Sequence, residues 1–398
     1  MRAMRIFVSL CGEGLGHTSR MVALHHALRE KGHHAVFAGY GTSLEVMRAK
    51  GMQTVETFPE VRMTGRGGRF DFVSSIINSY GTPLDLMRAY LRERGEIGRV
   101  RADAVVSDSR LSTVIAAAIA GVPAFYVTNQ SEFQMPNLPV VGSKRLRALR
   151  ILERARLPEE AMRRLIDVPL SAPYGFSDSV LIPDFKPPNT ICLPLLSKDL
   201  DMRKKTFFTG PMNELCFRKP KPAKWDGRKP KVLVTFGGQR FRAGLLGKVV
   251  RAAKAMPEFE FMIAGMFVKK NADVGNLKLR SFLPEITPYA AAADLMVIPG
   301  GHSSIMEAIL LEKPAIIIPD KGQPEQESNA KVYEKLGLGR MLSVDGISGL
   351  GGALRKLKAG EGRHRKKLKA LAETASDGEN GARNAVRLVS NFVERIRY

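Results

Sequence analysis

The sequence predicts two doubly wound α/β domains, and three observations carry that prediction. A chain of 398 residues is long enough for two domains of ordinary size. It opens with a strand, a glycine turn, a helix and a second strand, the unit from which parallel sheets are wound. A Lys/Pro/Gly-rich break at Lys219–Pro230 (KPKPAKWDGRKP) is followed at once by another strand, glycine loop and helix. Composition agrees: 44% hydrophobic and 25% charged residues, without a low-complexity tract, is globular.

Arg5–Leu10 is a short apolar run that ends in CGEGLGHTSR, and a helix is predicted from about Thr18 to Lys31. Gly32 ends that helix and His34–Ala38 is the next strand. Gly12, Gly14 and Gly16 permit a tight turn that a ligand can approach closely. The spacing is not a nicotinamide fingerprint, because the acidic residue expected about twenty positions later is missing. Ala102–Asp108 is a strand ending in an aspartate, Leu111–Ala120 a helix, and Gly121-Val122-Pro123 leads into the strand Ala124–Thr128. Asp108 has two readings: a helix N-cap, or a group presented at the strand ends. Residues 60–100 and 130–180 do not alternate in this way and are expected to form a variable side of the first domain. Val180–Pro183 and Thr190–Pro194 are expected as its last strands, with Phe207–Pro211 approaching the linker.

Lys231 begins the second domain, whose first loop is Phe236-Gly237-Gly238-Gln239, with Glu260–Ala264 as a further strand. Ala291–Pro299 is a strand delivered into Gly300-Gly301, and Ser303-Ser304 can cap the helix that follows. The free N–H groups and positive dipole end of such a helix suit a phosphate, with Glu307 one turn inside to reach a neighbouring diol. Pro314–Pro319 is a buried strand, and Glu325, Gln326 and Asn329 lie just beyond its C-terminal end, where open α/β sheets bind ligands. The last stretch is helical and basic, with Val386, Val389, Phe392 and Ile396 apolar. The predicted divisions are 1–205, a linker at 206–230, 231–376, and a C-terminal helix at 377–398 that either returns onto the first domain or lies as a surface helix of the second.

Gly301, Ser304, Glu307, Pro314, Pro319, Glu325-Gln326 and Asn329-Ala330 together resemble the nucleotide-sugar signature of GT-B glycosyltransferases, in the branch of the MurG-type and UDP-glycosyltransferase enzymes. The resemblance implies two Rossmann-like domains facing each other across a cleft. It implies a UDP-sugar donor held by Gly237, Gly238, Gln239, Phe282, Leu283, Gly301, His302, Ser303, Ser304, Glu307, Glu325, Gln326 and Asn329. Plant-type members carry a phosphate-binding histidine two residues before the glycine, where Pro299 stands here. His302 follows Gly301 and is the residue left to substitute. The first glycine turn is similar to the Gly-His loop that opens the family's acceptor domain, and Ala102–Thr128 resembles the segment carrying an aspartate that orients the histidine. Those likenesses imply His17 as base with Asp108 behind it, Glu13 as a second candidate base, and Gly14, Gly16 and Arg20 beside the acceptor. The longer loop of MurG enzymes, with Gly-Gly-Thr before the histidine, is absent, which weakens any transfer of MurG's own acceptor.

Net charge is +23, from 62 Lys+Arg against 39 Asp+Glu. Nucleic acid, an anionic membrane and a phosphorylated ligand all suit such a balance. Nucleic-acid motifs are missing and aromatics are only 7%, so no specific nucleic-acid partner is expected. Ser143–Ile166 carries eight Lys/Arg and three Glu with Leu146, Leu149, Ile151 and Leu152 interleaved, and a second basic, apolar stretch runs from Arg62 to Arg99. Both read as membrane-surface segments, or more plainly as solvated helix faces. Three scattered cysteines give no disulfide framework, and no apolar run approaches a spanning length. The expectation is an inverting transferase without an essential metal or cofactor, cytoplasmic and peripheral to the membrane, acting on a lipid or lipid-phosphate acceptor. The rival readings are a UDP-sugar 2-epimerase and a non-catalytic sugar-nucleotide-binding or membrane scaffold protein.

Overall fold

The computed structural model describes residues 2–12, 15–60, 65–66, 69–70, 83–129, 172–192, 204–237, 242–265, 268–281, 283, 285–378 and 380–397. Glu13, Gly14, Gly238, Gln239, Phe282 and the basic segment Ser143–Ile166 lie outside the described residues.

The N-terminal half builds β1 (Arg5–Leu10), α1 (Leu15–Glu30), β2 (His34–Gly39), α2 (Gly41–Ala49) and β3 (Thr54–Glu56). A short antiparallel pair, β4 (Gly65–Arg66) and β5 (Arg69–Phe70), precedes α3 (Pro83–Val100). Then come β6 (Ala104–Asp108), α4 (Leu111–Ala120), β7 (Ala124–Val127), β8 (Ser179–Ile182) and β9 (Thr206–Phe208). Seven of these strands form one parallel sheet in the order β3-β2-β1-β6-β7-β8-β9. Chain order reverses between β1 and β6, and that is where a doubly wound sheet opens a crevice beyond its strand ends. The strands run as unbroken apolar stretches because helices cover both faces. β1 buries every residue after Arg5, and β6 and β7 are buried throughout.

The second half repeats the plan with β10 (Lys231–Thr235), α5 (Ala243–Lys254), β11 (Glu260–Ala264), β12 (Ala272–Val274), β13 (Leu277–Arg280), α6 (Thr287–Ala292) and β14 (Leu295–Ile298). It continues through α7 (His302–Leu310), β15 (Ala315–Ile317), α8 (Pro324–Lys335) and β16 (Arg340–Met341), then α9 (Leu350–Ala359), α10 (Glu361–Asp377) and α11 (Gly381–Arg397). The sheet order is β12-β13-β11-β10-β14-β15-β16, parallel except for the edge strand β12. Its reversal lies between β10 and β14. The two glycine turns of this half, after Thr235 and after Ile298, therefore leave neighbouring strand ends.

Three local differences from the sequence reading have physical causes. The pairing of Val180 with Thr206 and Ile182 with Phe208 adds β9 to the first sheet, so that sheet extends past residue 205 into the expected linker. Thr190–Cys192 is not a strand but a loop whose backbone N–H groups at Ile191 and Cys192 donate to Asp184. α1 begins at Leu15 rather than near Thr18, which places His17 inside its first turn.

α11 returns to the first domain. Ala382, Ala385, Val386, Val389 and Val393 share a core with Met21, Leu24, Leu28 and Phe125, and Phe392 stacks edge-on against Phe125. Arg383 pairs with Glu30 at 2.8 Å, and Ser390 meets His33 at 3.2 Å. The C-terminal helix thus ties the second half of the chain to the first through apolar burial, with the ion pair at the rim.

Candidate active site

The two halves meet with the N-terminal ends of α1 and α7 close together. Ser303, in the first turn of α7, donates through Oγ to the carbonyl of Gly16 at 3.2 Å. A Cβ on Gly16 would lie 2.8 Å from that hydroxyl, so the glycine is needed for the approach of the domains. The residue at the N-cap of α7 is Gly301, with extended φ, and no side chain caps the helix. Ser303 and Ser304 lie inside the first turn, and their expected capping role is replaced in Ser303 by the bond across the cleft.

On the acceptor side, β1 and β6 carry His17 and Asp108 to one crevice. His17 Nδ1 lies 2.9 Å from Asp108 Oδ1. Asp108 is fully buried and does not cap α4, whose N-cap is Arg110. Arg20, one helical turn after His17 and therefore on the same face, reaches the same carboxylate. Its Nε is 3.2 Å from Oδ2 and its Nη2 is 3.0 Å from Oδ1. Burial alone would raise the Asp108 pKa, but Arg20 and then His17 hold the carboxyl below its ordinary value. His17 Nδ1 lies between an ionised Asp108 that can only accept and Arg20 Nη2, 2.8 Å away, that can only donate; the tautomer bonded to Asp108 carries its proton on Nδ1 and has the Nε2 lone pair for an incoming hydroxyl. His17 retains 18% side-chain exposure, whereas Arg20 is 4% exposed. The expectation that Arg20 faces the acceptor is thereby corrected: its guanidinium is turned inward onto Asp108 and Asn129.

The turn holding Asp108 is stiff. Ser109 takes a left-handed φ of 60° and donates to Asp108 Oδ1 at 3.2 Å. Arg110, the next residue, is buried against Glu93 at 2.8 Å and Glu60 at 3.1 Å. Thr57, Ser112, Thr113 and Ser9 also donate to Glu93. This buried cluster anchors the β6–α4 turn from below, so Asp108 is presented in one position.

On the donor side, Glu307 is half-buried one turn into α7, accepts from Thr287 Oγ1 at 3.2 Å, and has its pKa raised by burial. Glu325 lies at the start of α8 and accepts from Asn129 Nδ2 at 2.5 Å and Asn329 Nδ2 at 3.5 Å. Asn329 also donates to the carbonyl of Gly300 at 3.1 Å, closing the glycine turn onto α8. Gln326 is buried and turned away from the cleft: its amide donates to Asp320 at 2.8 Å and accepts from the Asp320 N–H at 3.1 Å. Asp320 also pairs with Arg242 at 2.5 Å. The Gln326 amide is thus engaged with Asp320, and Arg242 ties Asp320 in turn to the carbonyl of Phe236 beside Gly237. Gly237 itself turns with a φ of 64°. Leu283 packs against the second-domain core.

The two glycines of the second turn differ. A Cβ on Gly300 would lie 2.5 Å from the Gln326 carbonyl, so its smallness serves the packing of α8. A Cβ on Gly301 would meet nothing within 4 Å, which leaves open space at the head of α7.

His302 does not face that space. It is 3% exposed, and its Nε2 sits 3.4 Å from Asp184 Oδ2, at the end of β8 in the other domain. The reading of His302 as a phosphate ligand is replaced by that of a buried interdomain contact. The possible metal-ligating atoms of Asp184, Cys192 and His302 lie within 4.8 Å of one another. Asp184 already accepts from Phe185 N, Thr190 Oγ1, Ile191 N and Cys192 N at 2.7–2.9 Å, and burial pushes the Cys192 thiol up, away from the thiolate a metal prefers. The Asp184 carboxylate is taken up by these donors, while the buried His302 Nε2 faces it without a hydrogen bond. Asn129, Thr287, Asp184 and Asp320 were not singled out from the sequence; Asn129, Asp184 and Asp320 each follow a strand end, which the strand-end rule would have flagged.

Two doubly wound domains, apposed at their strand ends with an anion-ready helix N-terminus opposite a His–Asp pair, define the GT-B glycosyltransferase class. Residues 249–385 match the glycosyltransferase family 28 C-terminal domain. An uncharacterized glycosyltransferase of Methanosarcina acetivorans is 30% identical over 352 residues, covering 85% of this chain and 86% of that protein. The UDP-N-acetylglucosamine–N-acetylmuramyl-(pentapeptide) pyrophosphoryl-undecaprenol N-acetylglucosamine transferase of Thermosipho africanus is 26% identical over 114 residues, covering 28% of this chain and 34% of that protein. The crystal structure of the kitacinnamycin glycosyltransferase superposes with a TM-score of 0.70 at 18% identity, over 98% of this chain and 99% of the other. The chain belongs to the MurG-like, family-28-type glycosyltransferases, and it is an enzyme of sugar transfer.

Proposed function

We propose that the protein is an inverting glycosyltransferase that moves a hexose or N-acetylhexosamine from a UDP-sugar to a lipid or lipid-phosphate acceptor at the cytoplasmic face of a membrane. The observation that carries the reading is the pairing of a half-buried His17, held at Nδ1 beside Asp108, with the open head of α7 across the cleft. Neutral His17 accepts the acceptor proton while Asp108 holds the tautomer and balances the developing imidazolium. The donor diphosphate leaves against the α7 N–H groups and dipole, chemistry that needs no essential metal. Glu307 takes the ribose hydroxyls and Glu325 the sugar. The N-acetylglucosamine donor and lipid-linked acceptor in the Thermosipho enzyme's name support the substrate classes.

The membrane face rests on charge and shape. Leu84, Met87 and Leu91, spaced along one side of α3, are 67%, 55% and 56% exposed. Arg88 and Arg92 beside them are also well exposed, and no helix among the described residues is long and apolar enough to cross a membrane. An apolar stripe edged by arginine suits an anionic bilayer surface.

The test is thermal stability with UDP, TDP, GDP, ADP and UDP-sugars, for the wild type and Glu307→Ala, followed by transfer of label from the preferred donor into lipids of anionic vesicles. Ligand at a hundred times its dissociation constant adds about 2.7 kcal/mol. Stabilisation by UDP compounds that disappears in Glu307→Ala is the expected outcome. Absence of any nucleotide effect on the wild type sinks the donor assignment, and label released only as free sugar counts against the lipid acceptor.

A further inference from the structure

Asn129 stands where the two halves of the site touch. It follows β7 at the C-terminal edge of the first sheet, and both ends of its side-chain amide are used. Its Oδ1 accepts from Arg20 Nη1 at 3.1 Å, and its Nδ2 donates to Glu325 Oε1 at 2.5 Å. The amide orientation is fixed by chemistry: a guanidinium can only donate and a carboxylate can only accept. An unbroken chain of polar contacts therefore runs from His17 through Asp108, Arg20 and Asn129 to Glu325, crossing from one domain to the other. Each neighbour of Asn129 is charged, and hydrogen bonds to charged groups are the strong ones. A serine is too short to span both partners, and an aspartate would set an acceptor against Glu325.

We infer that Asn129 is a positioning residue that aims Glu325 at the donor sugar and ties that carboxylate to the Arg20–Asp108 side of the base, so that the sugar pocket is complete only when the domains are apposed. This rests on the reading of Glu325 as the donor-sugar ligand. The first domain, in this account, helps select a donor that the second domain binds. Glu325 Oε2, 3.3 Å from Gln323 Nε2, is steadied from the start of its own helix as well, and Asn129 steadies it from across the cleft.

The test uses the full-length protein in four forms: wild type, Asn129→Asp, Glu325→Gln, and the double variant. UDP, UDP-glucose and UDP-N-acetylglucosamine are titrated by calorimetry. Loss of a hydrogen bond to a charged group corresponds to roughly a ten-fold change in affinity. Asn129→Asp is expected to weaken UDP-sugar binding by about that factor while UDP, which lacks the sugar, binds as before. The double variant is expected to bind UDP-sugars as well as Glu325→Gln alone, a rescue relative to additive losses, because a glutamine at 325 can donate to an aspartate at 129. A merely structural bridge would weaken UDP and UDP-sugars alike and show no such rescue, which overturns the inference. Wild-type binding of both ligand kinds with an unaffected Asn129→Asp also overturns it and leaves the functional reading standing. Failure of the wild type to bind any of the three ligands removes both.

Discussion

The two glycine turns of this enzyme look alike in sequence and do opposite things with charge. In the first, ionisable side chains are gathered and satisfied among themselves: His17, Asp108 and Arg20 lie within 3.2 Å of one another, with Asp108 wholly buried. In the second, the head of α7 offers backbone N–H groups and serines, with Glu307 set back by a turn and its carboxyl pushed up by burial. A proton-transfer group needs a fixed tautomer and a buffered charge, so its neighbours are engaged. A diphosphate brings its own charge, so its cradle is left neutral and open. The fold supplies the same strand–turn–helix unit twice, and on the proposed function the side chains decide which half performs chemistry and which holds the leaving group.

That contrast is broken most severely by His17→Ala. Loss of a general base lowers the transfer rate by about 10²–10⁴-fold, while stabilisation by UDP is expected to be unchanged because the proposed nucleotide site is on the other turn. Steady-state transfer and a UDP thermal titration on the same preparation check both halves. A variant that loses UDP binding together with activity would show that the turns are not functionally separate.

The contact between the halves can be weakened at a third place, through Asp184. Burial works to raise its pKa, but His302 and the hydrogen bonds it accepts hold the carboxyl below its ordinary value. A depressed folded-state pKa contributes stability at pH values above the unfolded pKa near 3.9, and that stability is lost as pH falls through the lower, folded value. Asp184→Asn is expected to cost about 1–3 kcal/mol at neutral pH and progressively less below about pH 4. Urea unfolding at a series of pH values reads this directly. A gap that stays constant down to acid pH would mean that the carboxylate's charge contributes nothing.

Much of the layout was legible because doubly wound sheets announce themselves: apolar strands alternate with helices, and each strand end carries a turn. The two doubly wound domains and the placement of His17, Asp108, Glu307 and Glu325 near strand ends follow from that local grammar, whereas GT-B itself is implied by the resemblance of the Gly301–Ala330 block. What could not be read was the partner of each charge. Arg20 turns inward because α1 starts at Leu15, one turn earlier than its glycines suggest, which sets residues 17 and 20 on one face. His302 finds Asp184 across 118 positions of chain, a pairing that no local spacing encodes. Gln326 looks like a twin of Glu325, yet Asp320 and Arg242 draw it inward. Periodicity reports which side of an element is buried; it does not report what a buried polar group meets there.

Gly300 and Gly301 sharpen the comparison at its finest scale, because one serves packing and the other is free to serve a ligand. In Gly300→Ala the new Cβ would lie 2.5 Å from the carbonyl of Gln326, a backbone atom of α8 that cannot swing aside. Overpacking of that kind costs roughly 1–3 kcal/mol, and the loss should appear in urea unfolding whether or not nucleotide is present. Gly301 has an extended φ of −65° and ψ of 134°, which alanine adopts freely, and open space around the added methyl. Gly301→Ala is therefore expected to leave unfolding within about 0.5 kcal/mol of the wild type. If the open space is the diphosphate's, the methyl stands in it, and UDP binding should weaken by roughly ten-fold, about 1.4 kcal/mol. Unchanged UDP affinity in Gly301→Ala would move the diphosphate away from the head of α7, and with it the division of labour between the two turns.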